Sequence, residues 1–158
     1  MGSSLIGVTK ALIVLLFAAL VGCQTLLVPM IAAGLARTAP EFSELQVPGI
    51  LLVAALLASG QVILVCVWRL LTFVFHDTVF APQSFRWVDA IIASLVVAGV
   101  IVVVGMTVIS DAQAGSPFLA LMGMLALITL AGLALVVFVM RGLLVQATSL
   151  RQEMAEVV

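Results

Sequence analysis

Four long apolar stretches, almost free of charge, constrain this chain more than any other feature. They cover about residues 11–36, 48–68, 88–109 and 117–140, and the charged side chain they contain is Asp89, at the start of the third. About 20 apolar residues are enough to cross the hydrocarbon core of a bilayer as an α-helix. The pattern therefore predicts four transmembrane helices.

The overall composition agrees with lipid as the main solvent. Of 158 residues, 65% are apolar and 8% are charged, whereas a soluble domain is about half apolar and a quarter charged. An open sheet cannot span lipid, and a barrel needs alternating polar residues that these runs lack. The predicted fold class is all-α: one domain over residues 1–158, an integral membrane bundle of four transmembrane helices with a short cytoplasmic C-terminal helix extension.

Prolines mark the expected helix boundaries. Pro48 and Pro117 fit the first helical position, with Ser116 as an N-cap. Pro29 lies inside the first apolar run, where it should kink the helix or end its regular part early. A lipoprotein signal ending at Cys23 is an alternative for this region, but the run continues far beyond Cys23, and this length favours a span.

The basic residues predict the orientation. If the helices alternate in direction, five of the six lie on one side and only Arg37 lies on the other. Lys and Arg are enriched in cytoplasmic loops. Both termini and the middle loop are therefore predicted to be cytoplasmic. The five residues on that side are Lys10, Arg69, Arg86, Arg141 and Arg151.

Polar residues inside the apolar runs are the first candidates for a functional site. Counting helix rise from the cytoplasmic ends places Gln24 at roughly 20 Å, Thr129 at roughly 18 Å and Ser59 at roughly 15 Å, so these three could share a layer. Gln61 comes out at roughly 12 Å. The layer could bind or conduct a solute, or its members could simply hydrogen-bond between helices.

A carboxylate near lipid needs a basic partner. Asp89 is expected about one turn inside the third helix, and Arg69 closes the second helix at a similar depth. An Arg69–Asp89 ion pair is therefore predicted, with Arg86 as the local alternative three residues away.

The C-terminal tail, residues 141–158, carries a different pattern. Apolar residues recur there at alternating spacings of four and three, which is heptad spacing. They predict an amphipathic helix whose apolar stripe contacts a cytoplasmic protein, a second copy of the chain or the protein itself. The stripe consists of Leu143, Ala147, Leu150, Met154 and Val157.

Catalysis and cofactor binding find little support. His76 and Asp77 form a candidate pair, but no nucleophile or second metal ligand is evident beside them. No catalytic, cofactor-binding or metal-ligating residues are therefore predicted. A net charge of -1 gives no basic field for direct nucleic-acid binding.

Four sequence features carry a resemblance to a known family. They are Gln24-Thr25-Leu26-Leu27-Val28-Pro29, Val65-Cys66-Val67-Trp68-Arg69-Leu70-Leu71, Asp77-Thr78-Val79-Phe80 with Phe85 and Val88-Asp89, and the C-terminal Leu150-Arg151-Gln152-Glu153 to Val158. The chain resembles the bacterial membrane proteins grouped as domain of unknown function 2975. This resemblance implies a small four-helix membrane protein with no assigned activity, often encoded beside a helix-turn-helix regulator.

Two functions follow as hypotheses. The first is a non-enzymatic accessory or regulatory protein that acts through its cytoplasmic loop and C-terminal helix, with such a regulator as a candidate partner. The alternative is a small transporter or channel subunit that uses the mid-membrane polar layer.

Overall fold

The computed structural model describes residues 3–38, 45–75, 82–113 and 115–156, and the regular structure in these ranges is helical throughout. The elements are α1 (Ser3–Gly22), a π-helical turn (Cys23–Leu27), α2 (Val28–Thr38), α3 (Gln46–Phe75), α4 (Pro82–Asp111) and α5 (Pro117–Glu156). The all-α prediction is confirmed.

Four segments are long and apolar enough to cross a membrane. They are Gly7–Gly34, Gln46–Phe73, Phe85–Asp111 and Pro117–Leu150. The first of them joins α1, the π turn and α2 into one span. Each corresponds to one of the apolar runs in the sequence, so the number and type of the long helices could be inferred from hydropathy alone.

The π turn explains how the first span accommodates Pro29. Proline has no backbone N–H, and its ring collides with the carbonyl four residues earlier, here that of Thr25. The regular α-helix ends at Gly22, and the N–H of Val28 bonds the carbonyl of Cys23 five residues back. The Thr25 hydroxyl donates to the Val21 carbonyl at 2.9 Å. Pro29 thus disturbs the helix, as expected, and Gln24 lies inside the π turn.

The helix starts follow capping chemistry, with two corrections. Ser116 caps α5, because its hydroxyl accepts the N–H of Leu119 at 3.2 Å. The third long helix begins at Pro82, six residues before the predicted span of about 88–109, so Asp89 lies two turns inside α4 and not one. Pro48 is the third residue of α3, where its missing N–H still costs nothing.

The helices pack in chain order. The first span packs on α3, α3 packs on α4, and α4 packs on α5. The buried core lies between α3 and α4, where Cys66 meets Ile91 and Leu95. Three side chains of α5 close this core from the other side: Leu130, Ala134 and Val137. Most other apolar side chains are exposed, as is appropriate where lipid is the solvent.

The burial of Ala98 on α4, which is 2% exposed, generates a prediction about size. Ala98→Leu should lower stability by about 1–3 kcal/mol, because extra methylene groups at a buried position force neighbouring side chains and backbone apart. Ala93→Leu is the matched control, since Ala93 is exposed on the same helix and should stay within about 0.5 kcal/mol of the parent. Unfolding of the detergent-solubilised chain measures both, and equal losses would contradict the packing described.

Candidate functional site

Cationic side chains rest on tryptophan rings between two neighbouring pairs of helices. Between α1 and α3, the Nζ of Lys10 lies 5.2 Å from the centre of the Trp68 ring. Between α3 and α4, the Cζ of Arg69 lies 5.5 Å from the centre of the Trp87 ring. Both are cation–π contacts, worth about 0.5–1 kcal/mol where exposed.

An ion pair joins the next two helices, α4 and α5. The Nε of Arg141 lies 2.5 Å from Oδ1 of Asp89, and its Nη2 donates a hydrogen bond to Oδ2 at 3.2 Å. The two side chains are 36% and 51% exposed. The guanidinium therefore lies against both carboxylate oxygens, and its hydrogen bond goes to Oδ2.

These three contacts form one layer at one end of the helices, which we call the charged layer. Each neighbouring pair of helices contributes one contact, and each contact uses a cation that the sequence places on a single side. The charged layer consists of Lys10, Trp68, Arg69, Trp87, Asp89 and Arg141.

The predicted Arg69–Asp89 pair is wrong. Asp89 pairs with Arg141, while Arg69 stacks on Trp87. The physical reason is that α5 runs beside α4 and brings Arg141 level with the carboxylate across 52 residues of sequence. Depth counting placed Arg69 near Asp89 but could not show which helix faces the carboxylate, and Arg86 is exposed on α4.

Two of the mid-membrane polar residues bind each other. The Nε2 of Gln61 donates to Oε1 of Gln24 at 3.0 Å, and the Nε2 of Gln24 donates to the Ala54 carbonyl at 3.4 Å. The first span and α3 are thus joined by side-chain amides. Each such bond between membrane helices contributes roughly 0.6 kcal/mol.

The other two polar residues lie on the opposite side of α3. Ser59 donates to the Leu56 carbonyl at 2.6 Å, and Thr129 donates to the Leu125 carbonyl at 2.8 Å. Both line a cavity of about 470 Å³ between α3, α4 and α5, whose other walls are mainly apolar.

The predicted polar residues therefore fall into two separate pairs, Gln24 with Gln61 and Ser59 with Thr129. Gln24 was grouped by depth with Ser59 and Thr129, yet its partner is Gln61. Depth counting assumes regular helices of equal tilt, and the π turn around Gln24 breaks that assumption. The long amide side chains bridge the remaining difference in height.

The predicted apolar stripe on the tail lies on an exposed face of α5. Leu143 is 60% exposed and Leu150 is 59% exposed, and Ala147 is exposed between them. The inward face instead carries Leu144 and Thr148, which are half-buried. Met154 belongs to α5 by backbone, but its side chain lies outside the described part, as does Val157.

Other reactive groups do not converge within the described residues. No group of three His, Cys, Asp or Glu side chains comes together in those ranges. Cys23 and Cys66 are free thiols, the second of them buried. His76 and Asp77, with Phe80, lie outside the described residues.

Four helices long and apolar enough to cross a membrane, with a charged and aromatic layer at one end, are typical of one class, the helical membrane proteins. The sequence profile of the family described as "Protein of unknown function (DUF2975)" matches residues 30–158, so the chain belongs to that family. The match begins just after the π turn and contains α3, α4 and α5 whole. No curated protein and no solved structure matched the chain.

The partner of Asp89 can be tested by two double-mutant cycles. Asp89→Asn with Arg141→Gln should show a coupling of about 1 kcal/mol, at the upper end for an exposed pair. Asp89→Asn with Arg69→Gln is the control cycle and should show coupling near zero, because Arg69 contacts Trp87. Thermal unfolding in detergent at low salt provides the measurement. A larger coupling free energy for Asp89 with Arg69 than for Asp89 with Arg141 would contradict the pairing described.

Proposed function

We propose that this chain is a non-enzymatic accessory or regulatory protein of a bacterial plasma membrane. It spans the membrane four times, with both ends in the cytoplasm, and acts through the middle loop and the C-terminal part of α5. The observation that carries the proposal is the apolar stripe on α5, which the bundle leaves uncovered. The non-enzymatic part rests on the sequence, which offers no poised nucleophile and no metal-ligand set.

The length of α5 supports a segment outside the lipid. Arg141 lies 24 residues after Pro117, which is roughly 36 Å of helix and already exceeds a hydrocarbon core of about 30 Å. An ion pair is also better tolerated at the membrane surface than in its centre. Residues 142–156 add roughly 22 Å of helix beyond the charged layer.

The charged layer also supports the orientation. Three of its members, Lys10, Arg69 and Arg141, are cations, and cytoplasmic ends of membrane helices are enriched in Lys and Arg. Trp68 and Trp87 lie in the same layer, as is common for aromatic residues at the surface of a bilayer. The charged layer therefore marks the cytoplasmic surface in this proposal.

The exposed stripe supports a protein partner. If α5 leaves the lipid at the charged layer, as proposed, Leu143, Ala147 and Leu150 lie on one side of a helix that water would otherwise cover. Uncovered apolar patches of this kind commonly mark interaction sites. A helix that continues from a membrane span is already nucleated, so the segment loses little entropy on binding.

The proposed partner is a soluble cytoplasmic protein whose apolar groove binds the α5 stripe. A helix-turn-helix regulator, which the family resemblance implies as a neighbour, is the candidate. The chain itself then acts by holding that regulator at the membrane rather than by touching nucleic acid. A second copy of this chain is the other possible occupant.

The topology can be tested with reporter fusions. Fusions after Ala39 and after Gly115 should report the outside, and a fusion after Pro82 should report the cytoplasm, because the basic residues bias the loops in this way. At each fusion site, alkaline phosphatase and a fluorescent protein give opposite signals for the two sides of the membrane. An outside signal at Pro82 would reverse the orientation.

The stripe can be tested by crosslinking in intact membranes. A photoreactive residue at Leu150 should crosslink to a second polypeptide, and Leu143→Gln should reduce that product severalfold by replacing an exposed leucine of the stripe with a polar side chain. Val145→Gln is the matched control, because Val145 is also exposed but lies on the far side of α5, and it should leave the product unchanged.

The crosslinked product also distinguishes the occupants by mass. A product of twice the chain mass would replace the soluble partner with a second copy. Products within a single chain, or with lipid only, would contradict the proposal.

A transporter or channel subunit is the second candidate, favoured by the cavity beside Ser59 and Thr129. Both hydroxyls are engaged by their own helices, however, and the glutamines bind each other. Flux of a small solute through reconstituted vesicles, abolished by Thr129→Val but not by Thr107→Val, would favour this candidate. Thr107 suits as control because it is exposed and bonded within its own helix in the same way.

A further inference from the structure

A groove runs along the contact between α1 and α3, outside the polar pairs described above. One part has a volume of about 300 Å³ and lies between Ile13, Phe17 and Leu64. A second part, of about 450 Å³, begins at Lys10. Both parts share Val14, Ala18 and Trp68 as walls, so they form one groove. Its walls are apolar except at the end that holds Lys10.

The charge at that end is available to a ligand. The Nζ of Lys10 lies over the Trp68 ring, and no carboxylate pairs with it among the residues that the structure describes. An ammonium group has three N–H donors, and a ring face leaves donors free for an anion. Arg141, in contrast, is held by Asp89 at the other side of the charged layer.

The dimensions of the groove match an amphiphile. From Lys10 to Ala18 the helix rises roughly 12 Å, so a molecule anchored at Lys10 reaches into the apolar part with its tail. The volumes lie in the range of small-molecule sites, about 300–1,000 Å³. A soluble anion would leave the apolar walls empty, and a neutral hydrocarbon would leave Lys10 without a counter-ion.

We propose that this groove binds an anionic phospholipid. Its phosphate pairs with Lys10 beside the Trp68 ring, and one acyl chain lies between α1 and α3 along Val14 and Ala18. The site uses the placement of the charged layer at the membrane surface, which is part of the proposed function; cytoplasmic leaflets are rich in anionic lipid, and basic pockets between membrane helices bind such headgroups. The lipid then fills a gap that the side chains of α1 and α3 leave open.

Native mass spectrometry of the full chain in detergent tests the site, with phosphatidylglycerol and phosphatidylcholine as probes. The parent chain should retain one phosphatidylglycerol and prefer it over phosphatidylcholine. Lys10→Gln should cut that preference about fivefold, the factor expected for one Lys near an anionic surface. Val14→Trp should abolish retention of both lipids by filling the groove.

Two matched controls separate a built site from a general lipid coat. Arg86→Gln removes an exposed cation from the same end of the bundle, and Leu12→Trp enlarges an exposed α1 residue outside the groove. Both should leave retention unchanged. If Arg86→Gln lowers the preference as much as Lys10→Gln, or if the parent chain shows no preference, the lipid is an annular one and the proposal fails.

A second measurement needs no substitution and therefore does not depend on a variant folding. Phosphatidylglycerol with a photoreactive acyl chain should label residues 13–18 and 64–68 of the unmodified chain. Labels spread evenly over all four spans would overturn the site. The reporter fusions remain a separate test, because a reversed topology would leave the groove and its labels in place but move them to the other leaflet.

Discussion

A carboxylate inside an apolar helix has to meet a cation, and this requirement shapes one end of the molecule. Asp89 lies two turns into α4, where an unpaired charge near lipid would be costly. Its pairing with Arg141 fixes the height of α5 against α4. Once that height is set, Leu130, Ala134 and Val137 of α5 fall against the α3–α4 core. The polar contact and the apolar packing of α5 therefore agree on one alignment of α5 against α4.

The other two cations of the charged layer are held by a weaker interaction. Lys10 and Arg69 lie on tryptophan rings, which compensate part of the lost hydration without adding a negative charge to the layer. The rings also cover the helix ends where lipid headgroups and water meet. One end of the bundle is thus held by directional contacts, and the spans beyond it show mainly apolar packing, with the amide bonds of Gln24 and Gln61 among the described residues.

Much of the fold could be predicted from the sequence, because an apolar run, a helix cap and a proline each act on the residues next to them in the chain. The four long helices, the Ser116 cap and the disturbance before Pro29 belong to this kind. The partner of Asp89 and the split of the polar residues into two pairs could not be predicted in that way. Both depend on which helix faces which, and apolar runs that are similar on every side carry no such information. The start of α4 at Pro82 was missed because Gln83 and Arg86 interrupt the apolar pattern.

The π turn in the first span changes the rotational phase of the chain. A π turn holds one residue more than an α turn, so the residues after it are rotated by about 100° relative to an uninterrupted helix. α1 and α2 both pack on α3, although the two helices follow different rotational phases. The consequence is that the two halves of the first span meet α3 with different faces, and the groove that holds Lys10 lies on the α1 half alone.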